Sequence, residues 1–236
     1  MKFSAGFILL FTLPFTGCAR GEVAEAAPQA ASKARAREAV FSMQRLQETY
    51  RKAGSLEAKF QQEVFQASLA RTKTSTGTLA LQAPNRIHWE VNEPEPSLTV
   101  SNGKKLWYYT PGAGAAGQVV VRPASQIATQ PLFRILMGSA DLTKEFLVER
   151  QERIEGIVPG RAVTKVTLRP KRVKRWGDME RVTLTTESNY LISEVLIQGA
   201  AGNRTKITLQ NQRLGTKLSP KLFDFSPPAD AEIIQD

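Results

Sequence analysis

A chain of 236 residues, 42% hydrophobic and 23% charged, is long enough to bury one sizeable core. Its 32 Lys+Arg against 22 Asp+Glu leave a net charge of +10, which favours anionic partners without naming one. A single cysteine, Cys18, and a single histidine, His88, exclude an intramolecular disulfide and any zinc site of Cys/His spacing.

The chain opens with Lys2 and an apolar run from Phe3 to Phe15 that contains Pro14. A membrane-spanning helix needs about 20 apolar residues, so the run is too short to span and residues 1–19 read as an export signal. Cys18 follows Phe15-Thr16-Gly17, which resembles the lipobox of lipidated proteins except for Phe15 at the usual Leu position. Two outcomes stand open: Cys18 is acylated and tethers the protein, or it leaves with the signal by cleavage after Ala19. Either way the mature protein is expected outside the inner membrane. Residues 20–33 are Ala-rich and polar without apolar periodicity, a linker, and residues 34–236 are expected to form a single domain.

From Ala34 the pattern changes. Ala36, Ala39, Val40, Met43, Leu46 and Tyr50 recur at helical spacing, and Gly54 stands where a helix end favours a left-handed residue. Such an amphipathic helix is expected to pack on a sheet. Beyond Gly54 the apolar residues alternate: Phe60 and Val64, Leu79 and Leu81, Ile87, Trp89 and Val91, Leu98 and Val100. Arg86, His88 and Glu90 occupy the face opposite Ile87, Trp89 and Val91, the mark of antiparallel strands with one dry and one wet face. Further alternating runs cover 145–154, 162–168, 180–186, 190–198 and 204–210, separated by turn residues such as Asn102-Gly103, 111–117 and Gly202-Asn203. About ten strands with short connections predict one large, strongly curved antiparallel meander. In "SNGKKLWYY", 101–109, Trp107 and Tyr109 share one strand face and Leu106 and Tyr108 the other; alternation leaves open which pair points inward. The run "PLFRILMG", 131–138, breaks the rhythm. Leu132, Phe133, Ile135, Leu136 and Met137 between Pro131 and Gly138 predict a short apolar helix, either buried on most sides or plugging an apolar cavity.

Catalytic chemistry finds no support. His88, flanked by Arg86 and Glu90 on a polar face, has no nucleophile and orienting carboxylate in a recognisable pattern, and phosphate and dinucleotide fingerprints are missing from the chain. "NEPEP", 92–96, reads as an extended acidic connection. No catalytic residue, metal or cofactor is expected. The basic run Arg169 to Trp176 is either a solvated loop or a docking surface for anionic headgroups or an acidic partner, with Arg169, Lys171, Arg172, Lys174 and Arg175 as docking candidates. Export removes nucleic acid as a partner.

"APNRIHWEVNEPEPSLTVSNGKKLWYYTP", 83–111, resembles the hallmark stretch of the outer-membrane lipoprotein carrier family, LolA: Pro84-Asn85, a strand ending in Trp89, a proline link at Pro94, then Leu98, Val100, Ser101, Asn102, Gly103, Lys104, Leu106, Trp107 and Tyr109. Phe60 with Gln62, and "LFDFSPPAD" at 222–230, agree in order, so the likeness runs from about Leu46 to Ile234. The resemblance implies an open, incomplete, strongly curved antiparallel β-barrel with an N-terminal amphipathic helix and a short apolar lid helix. It also implies a periplasmic carrier, not an enzyme, whose hydrophobic cavity holds the acyl chains of lipoproteins between the inner and outer membranes.

On that basis the cavity and lid candidates are Phe60, Leu79, Leu81, Ile87, Trp89, Leu98, Val100, Leu106, Tyr108, Leu132, Phe133, Ile135, Leu136 and Met137. The implied partners are acylated lipoproteins, an inner-membrane lipoprotein-releasing ABC transporter and an outer-membrane lipoprotein receptor, with the carrier a monomer. One departure stands out: an Arg that latches the lid in many family members is Ala83 here. Arg86 is the substitute candidate, and it serves only if Pro84 bends the strand enough to bring it to the other face. Rival readings are a lipid-anchored outer-membrane receptor of similar fold and a periplasmic sensor or scaffold that binds envelope proteins.

Overall fold

The computed structural model describes residues 41–112, 115–155, 162–172 and 176–235. The expected export signal at 1–19 with Cys18, the linker at 20–33, the proposed helical positions Ala36, Ala39 and Val40, and Lys174 and Arg175 lie outside the described residues.

Helix α1 (Met43–Ala53) begins later than the apolar periodicity suggests, because Ser42 is extended and its hydroxyl caps the helix by accepting the Arg45 N–H at 3.3 Å. It ends as expected: Gly54 adopts φ +67° and its N–H returns to the Tyr50 carbonyl. The chain then runs through β1 (Ser55–Gln66), β2 (Arg71–Gln82), β3 (Arg86–Glu93), β4 (Ser97–Asn102), β5 (Lys105–Gly112) and β6 (Ala115–Pro123). A 3-10 turn at Ala124–Thr129 leads into helices α2 (Pro131–Leu136) and α3 (Leu142–Glu145). Strands β7 (Phe146–Glu155), β8 (Ala162–Pro170), β9 (Met179–Thr186), β10 (Ile192–Gly199) and β11 (Arg204–Leu214) complete the meander, and β12 (Glu232–Gln235) closes the described chain.

Among the described residues all twelve strands form one sheet in the order β12-β6-β5-β4-β3-β2-β1-β11-β10-β9-β8-β7. The protein is thus mainly β, with a single open sheet whose ends, β12 and β7, do not meet. Neighbours are antiparallel except β12, which runs parallel to β6. The Asn102-Gly103 hairpin forms as its sequence predicts, but only Gly103 takes positive φ, at +92°. Asn102 instead uses its Oδ1 to accept the Lys104 and Lys105 N–H groups.

The main core lies on one face of this sheet, the inner face. Leu79 and Leu81 of β2, Ile87 and Trp89 of β3, Leu106 of β5, and Val166, Leu184, Val195 and Ile207 across the other half are all buried there. Leu46 and Tyr50 of α1 and Ile135 and Leu136 of α2 join the same cluster, so the helices cover what the open barrel leaves exposed. The outer face is not simply wet. Leu218, Leu222 and Phe223 pack with Ala80 as a second cluster, laying the chain before β12 across the outside of the sheet.

That arrangement corrects the inward placement of Leu98 and Val100 and decides two questions the sequence leaves open. Leu98 and Val100 do not belong to the interior: their cross-strand partners are Glu90 with Tyr109, and His88 with Trp107, which face outward. Alternation placed both on one face, but with apolar cover on both sides of the sheet it does not say which. Arg86 is also an outer-face residue. Its Nη1 donates to Gln82 Oε1 at 3.3 Å and its guanidinium lies 6.0 Å from the Phe223 ring, so it holds no lid. The aromatic question is decided as well: Tyr108 sits with Leu106 on the inner side, whereas Trp107 and Tyr109 meet Phe225 outside at 6.1 and 5.7 Å.

Candidate functional site: a lidded apolar cavity

Three inner-face aromatics stack from sheet to helix. Phe60 of β1 lies 4.0 Å from Trp89 of β3, and Trp89 meets Phe133 of α2 edge-on at 5.8 Å. Beside this stack lies a cavity of about 630 Å³, lined by Trp89, Tyr108, Leu132, Phe133, Trp176, Met179, Ile197 and Ile207. Gln62, Thr99, Thr129, Gln130, Asp178 and Thr205 add polar positions. Burial pushes the Tyr108 phenol above its ordinary range, so it stays a neutral hydroxyl facing this space. Of the candidates read from sequence, Trp89, Tyr108, Leu132 and Phe133 line the cavity. Phe60, Leu79, Leu81, Ile87, Leu106, Ile135, Leu136 and Met137 do not line it and instead belong to the packed core of the inner face.

The short helix α2 is amphipathic in an unusual sense, because its one charged residue also points inward. Arg134 is only 8% exposed. Its Nη2 donates to both carboxylate oxygens of Glu145 at 2.8 Å, and its guanidinium lies 4.0 Å over the Trp176 ring. Trp176 in turn packs on Phe146 at 4.7 Å. The Glu145 carboxylate also accepts the Asp141 N–H at 3.1 Å, and Arg134's carbonyl accepts from Ser139 and Ala140. Helix α2, α3, the start of β7 and the loop before β9 are thereby tied through one buried charge pair stacked on an indole.

Two contacts fix this lid region to α1. Gln47 accepts the Leu142 N–H at 2.9 Å. Gly138, at φ +65°, passes so close to α1 that a Cβ would stand 2.5 Å from the Arg51 nitrogen. Beside Arg51 in the last turns of α1, the Tyr50 hydroxyl accepts the Ile192 N–H at 2.8 Å, and burial pushes its phenol well above the usual tyrosine range. Asp141 caps α3; the Lys144 N–H and then the Thr143 hydroxyl hold its carboxyl down at about 2.

Sequence reasoning missed Arg134, Glu145 and Trp176. Trp176 closes a basic run and so reads as loop, yet it is 2% exposed. The only available signal was a Trp standing where a solvated loop needs none. Among the docking candidates, Arg169 pairs with Glu149 at 2.9 Å, Lys171 donates to the Thr143 carbonyl at 3.1 Å, and Arg172 is exposed. His88 lies outside, its Nδ1 donating to the Leu222 carbonyl at 2.8 Å.

The described residues thus form an open half-barrel whose apolar, partly filled inner face lies under a helical cover. The chain is a member of the outer membrane lipoprotein carrier protein LolA family, whose model matches residues 51–226. Its relatives include the outer-membrane lipoprotein carrier protein of Dechloromonas aromatica, 29% identical over 76% of this chain and 81% of that protein. That of Methylococcus capsulatus is 30% identical over 78% and 83%. A LolA superfamily protein of Nitrosomonas europaea, of known crystal structure, overlaps 78% of this chain and 96% of its own at 12% identity and a TM-score of 0.41. The family and these relatives carry the name of lipoprotein carriers.

Proposed function

We propose that this protein is a periplasmic carrier that buries the acyl chains of lipoproteins in the cavity under α2, taking them from an inner-membrane ATP-driven transporter and handing them to an outer-membrane receptor. The observation that carries this reading is the apolar cavity roofed by Leu132 and Phe133 and continuous with a lid whose Ile135, Leu136 and Met137 are buried. At about 30 Å³ for each water-sized group, about 630 Å³ holds roughly one long acyl chain. A lipoprotein with more chains needs the volume that the lid side chains occupy, so loading displaces α2. That displacement also makes release feasible. Burying methylenes at about 0.8 kcal/mol each over several chains sums beyond the roughly 18–21 kcal/mol ceiling of real affinities, and withdrawing the lid from its apolar bed offsets part of it.

The same reading makes residues 1–19 an export signal and 34–236 the carrier domain; mass spectrometry of the mature N-terminus distinguishes an acylated Cys18 from a discarded one. The decisive test is purification of the tagged protein from envelope extract, with acylated polypeptide detected by mass spectrometry. Wild type brings it along, and Leu136→Glu, which puts a charge in the apolar bed of the lid, loses most of it. A folded wild type that returns without acylated partners overturns the proposal.

A further inference from the structure

The turn that carries Trp176 into the lid cluster also delivers a carboxylate to the cavity. The Met179 N–H returns to the Trp176 carbonyl at 3.3 Å, and Asp178, inside that turn, is a lining residue. Its carboxylate lies on the inner side of the sheet. Gly199 pairs with Met179, which is buried in the inner core, and stands two residues beyond Ile197, which lines the cavity. A Cβ on Gly199 would therefore point inward, and it would stand 2.9 Å from Asp178 Oδ2. The Gly199 backbone is not left-handed, so what the missing side chain provides is room for that carboxylate. The charge is out of keeping with the rest of the molecule. The chain carries a net +10, yet among the described lining residues Asp178 is the one charged group and no cation stands there. The other polar positions, Gln62, Thr99, Thr129, Gln130 and Thr205, are neutral amides and hydroxyls.

We infer that Asp178 is a head-group filter for the carrier function proposed above, on which this inference rests: the cavity admits acyl chains whose polar end is an uncharged ester or amide and turns away those ending in a carboxylate or phosphate. A chain laid against Trp89 and Phe133 leaves its polar end among the hydrophilic lining side chains. Ester and amide linkages find donors and acceptors there in glutamine and threonine. An anion in the same place finds a like charge and, among the described residues, no cation to offset it. Two electrostatic effects compete, and they act over different ranges. The net charge of the whole chain draws anionic amphiphiles toward the protein, but it is spread over the surface and screened beyond about 10 Å at 0.1 M salt. Two unit charges about 4 Å apart still repel enough, even in water, to change an equilibrium about fivefold. At the cavity the near contact decides. The filter thus separates acyl chains borne on a protein through ester and amide linkages from free fatty acids and acidic phospholipids with the same tails.

The test is binding of two amphiphiles with the same tail to the full mature chain: myristate and its uncharged glycerol ester, monomyristin. Each is titrated below its aggregation concentration at neutral pH, in competition with a fluorescent apolar probe, and the quantity read is the ratio of the two affinities. Asp178→Asn should shift that ratio about fivefold toward myristate, and Asp178→Lys should shift it further. Glu180→Gln removes the same formal charge two residues along, at an exposed position outside the cavity lining, and should leave the ratio as in wild type. If both amphiphiles bind and the ratio is indifferent to position 178, or moves equally with Glu180→Gln, the filter is overturned and the carrier reading stands. Wild type that binds neither amphiphile overturns the carrier reading and the filter with it.

Discussion

Two glutamates four residues apart show how differently the same chemistry behaves in two regions of this molecule. Glu145, at the end of α3, faces the lid with a side chain only 12% exposed and accepts on both oxygens from Nη2 of one arginine, Arg134, which is itself stacked on Trp176. Glu149, at the bulge of β7, faces out and is held by two arginines, Arg169 and Arg181. By count of arginines Glu149 is better served. By consequence it matters less, because water screens its partners and re-solvates whatever is removed, whereas the lid pair has no water to fall back on. The lid that sequence patterning makes purely greasy is therefore pinned by a charge pair.

The largest effect should come from breaking that pair on one side. Arg134→Ala leaves Glu145 buried and uncompensated, and chemical denaturation should show a loss of about 3–5 kcal/mol. The double variant R134M/E145L, with apolar groups of similar length, should recover most of it. Glu149→Ala on the outer face should leave the melting temperature essentially unchanged, and an equal loss there would erase the contrast between the two regions. Next in size is Gly138→Ala. The left-handed backbone alone costs about 1–3 kcal/mol for a side chain, and the contact with the α1 backbone adds to it, so the lid should detach from α1 and bind an exposed-hydrophobe dye. The smallest effect concerns acid. Hydrogen bonds from Lys144 N–H and Thr143 depress Asp141 in the folded state, so its cap is complete above the ordinary value of 3.8 and fades as pH falls toward about 2. Asp141→Asn should flatten the melting temperature across that window and leave it nearly unchanged at pH 7.

Much of the fold was legible because period-two alternation reports on its own strand. The strands from Phe60 to Leu209, the capping Gly54 and the Asn102-Gly103 turn each depend on neighbours within a few residues. The site was legible in part. Trp89, Tyr108, Leu132 and Phe133 do line the cavity, but Leu98 and Val100 were assigned inward on the same kind of evidence and face out. Their misplacement has a single cause: the segment from Leu218 to Phe225 covers the outer face, so apolar residues are wanted on both sides of β4 and β5 and the usual contrast disappears. Arg86 was sought as a latch and lies under Phe223 for the same reason.

The sequence by itself determined a β-rich chain, its main strand boundaries, a short apolar helix within 131–138 and membership in a carrier family, because these follow from local periodicity, turn chemistry and short motifs. Tertiary structure alone decided which face of the sheet is the interior, that Arg134, Glu145 and Trp176 meet, and that β7 is left as an open edge. Each of those depends on segments far apart in the chain meeting or failing to meet, and the free energy of burying a charge or an apolar face is set by what arrives on the other side.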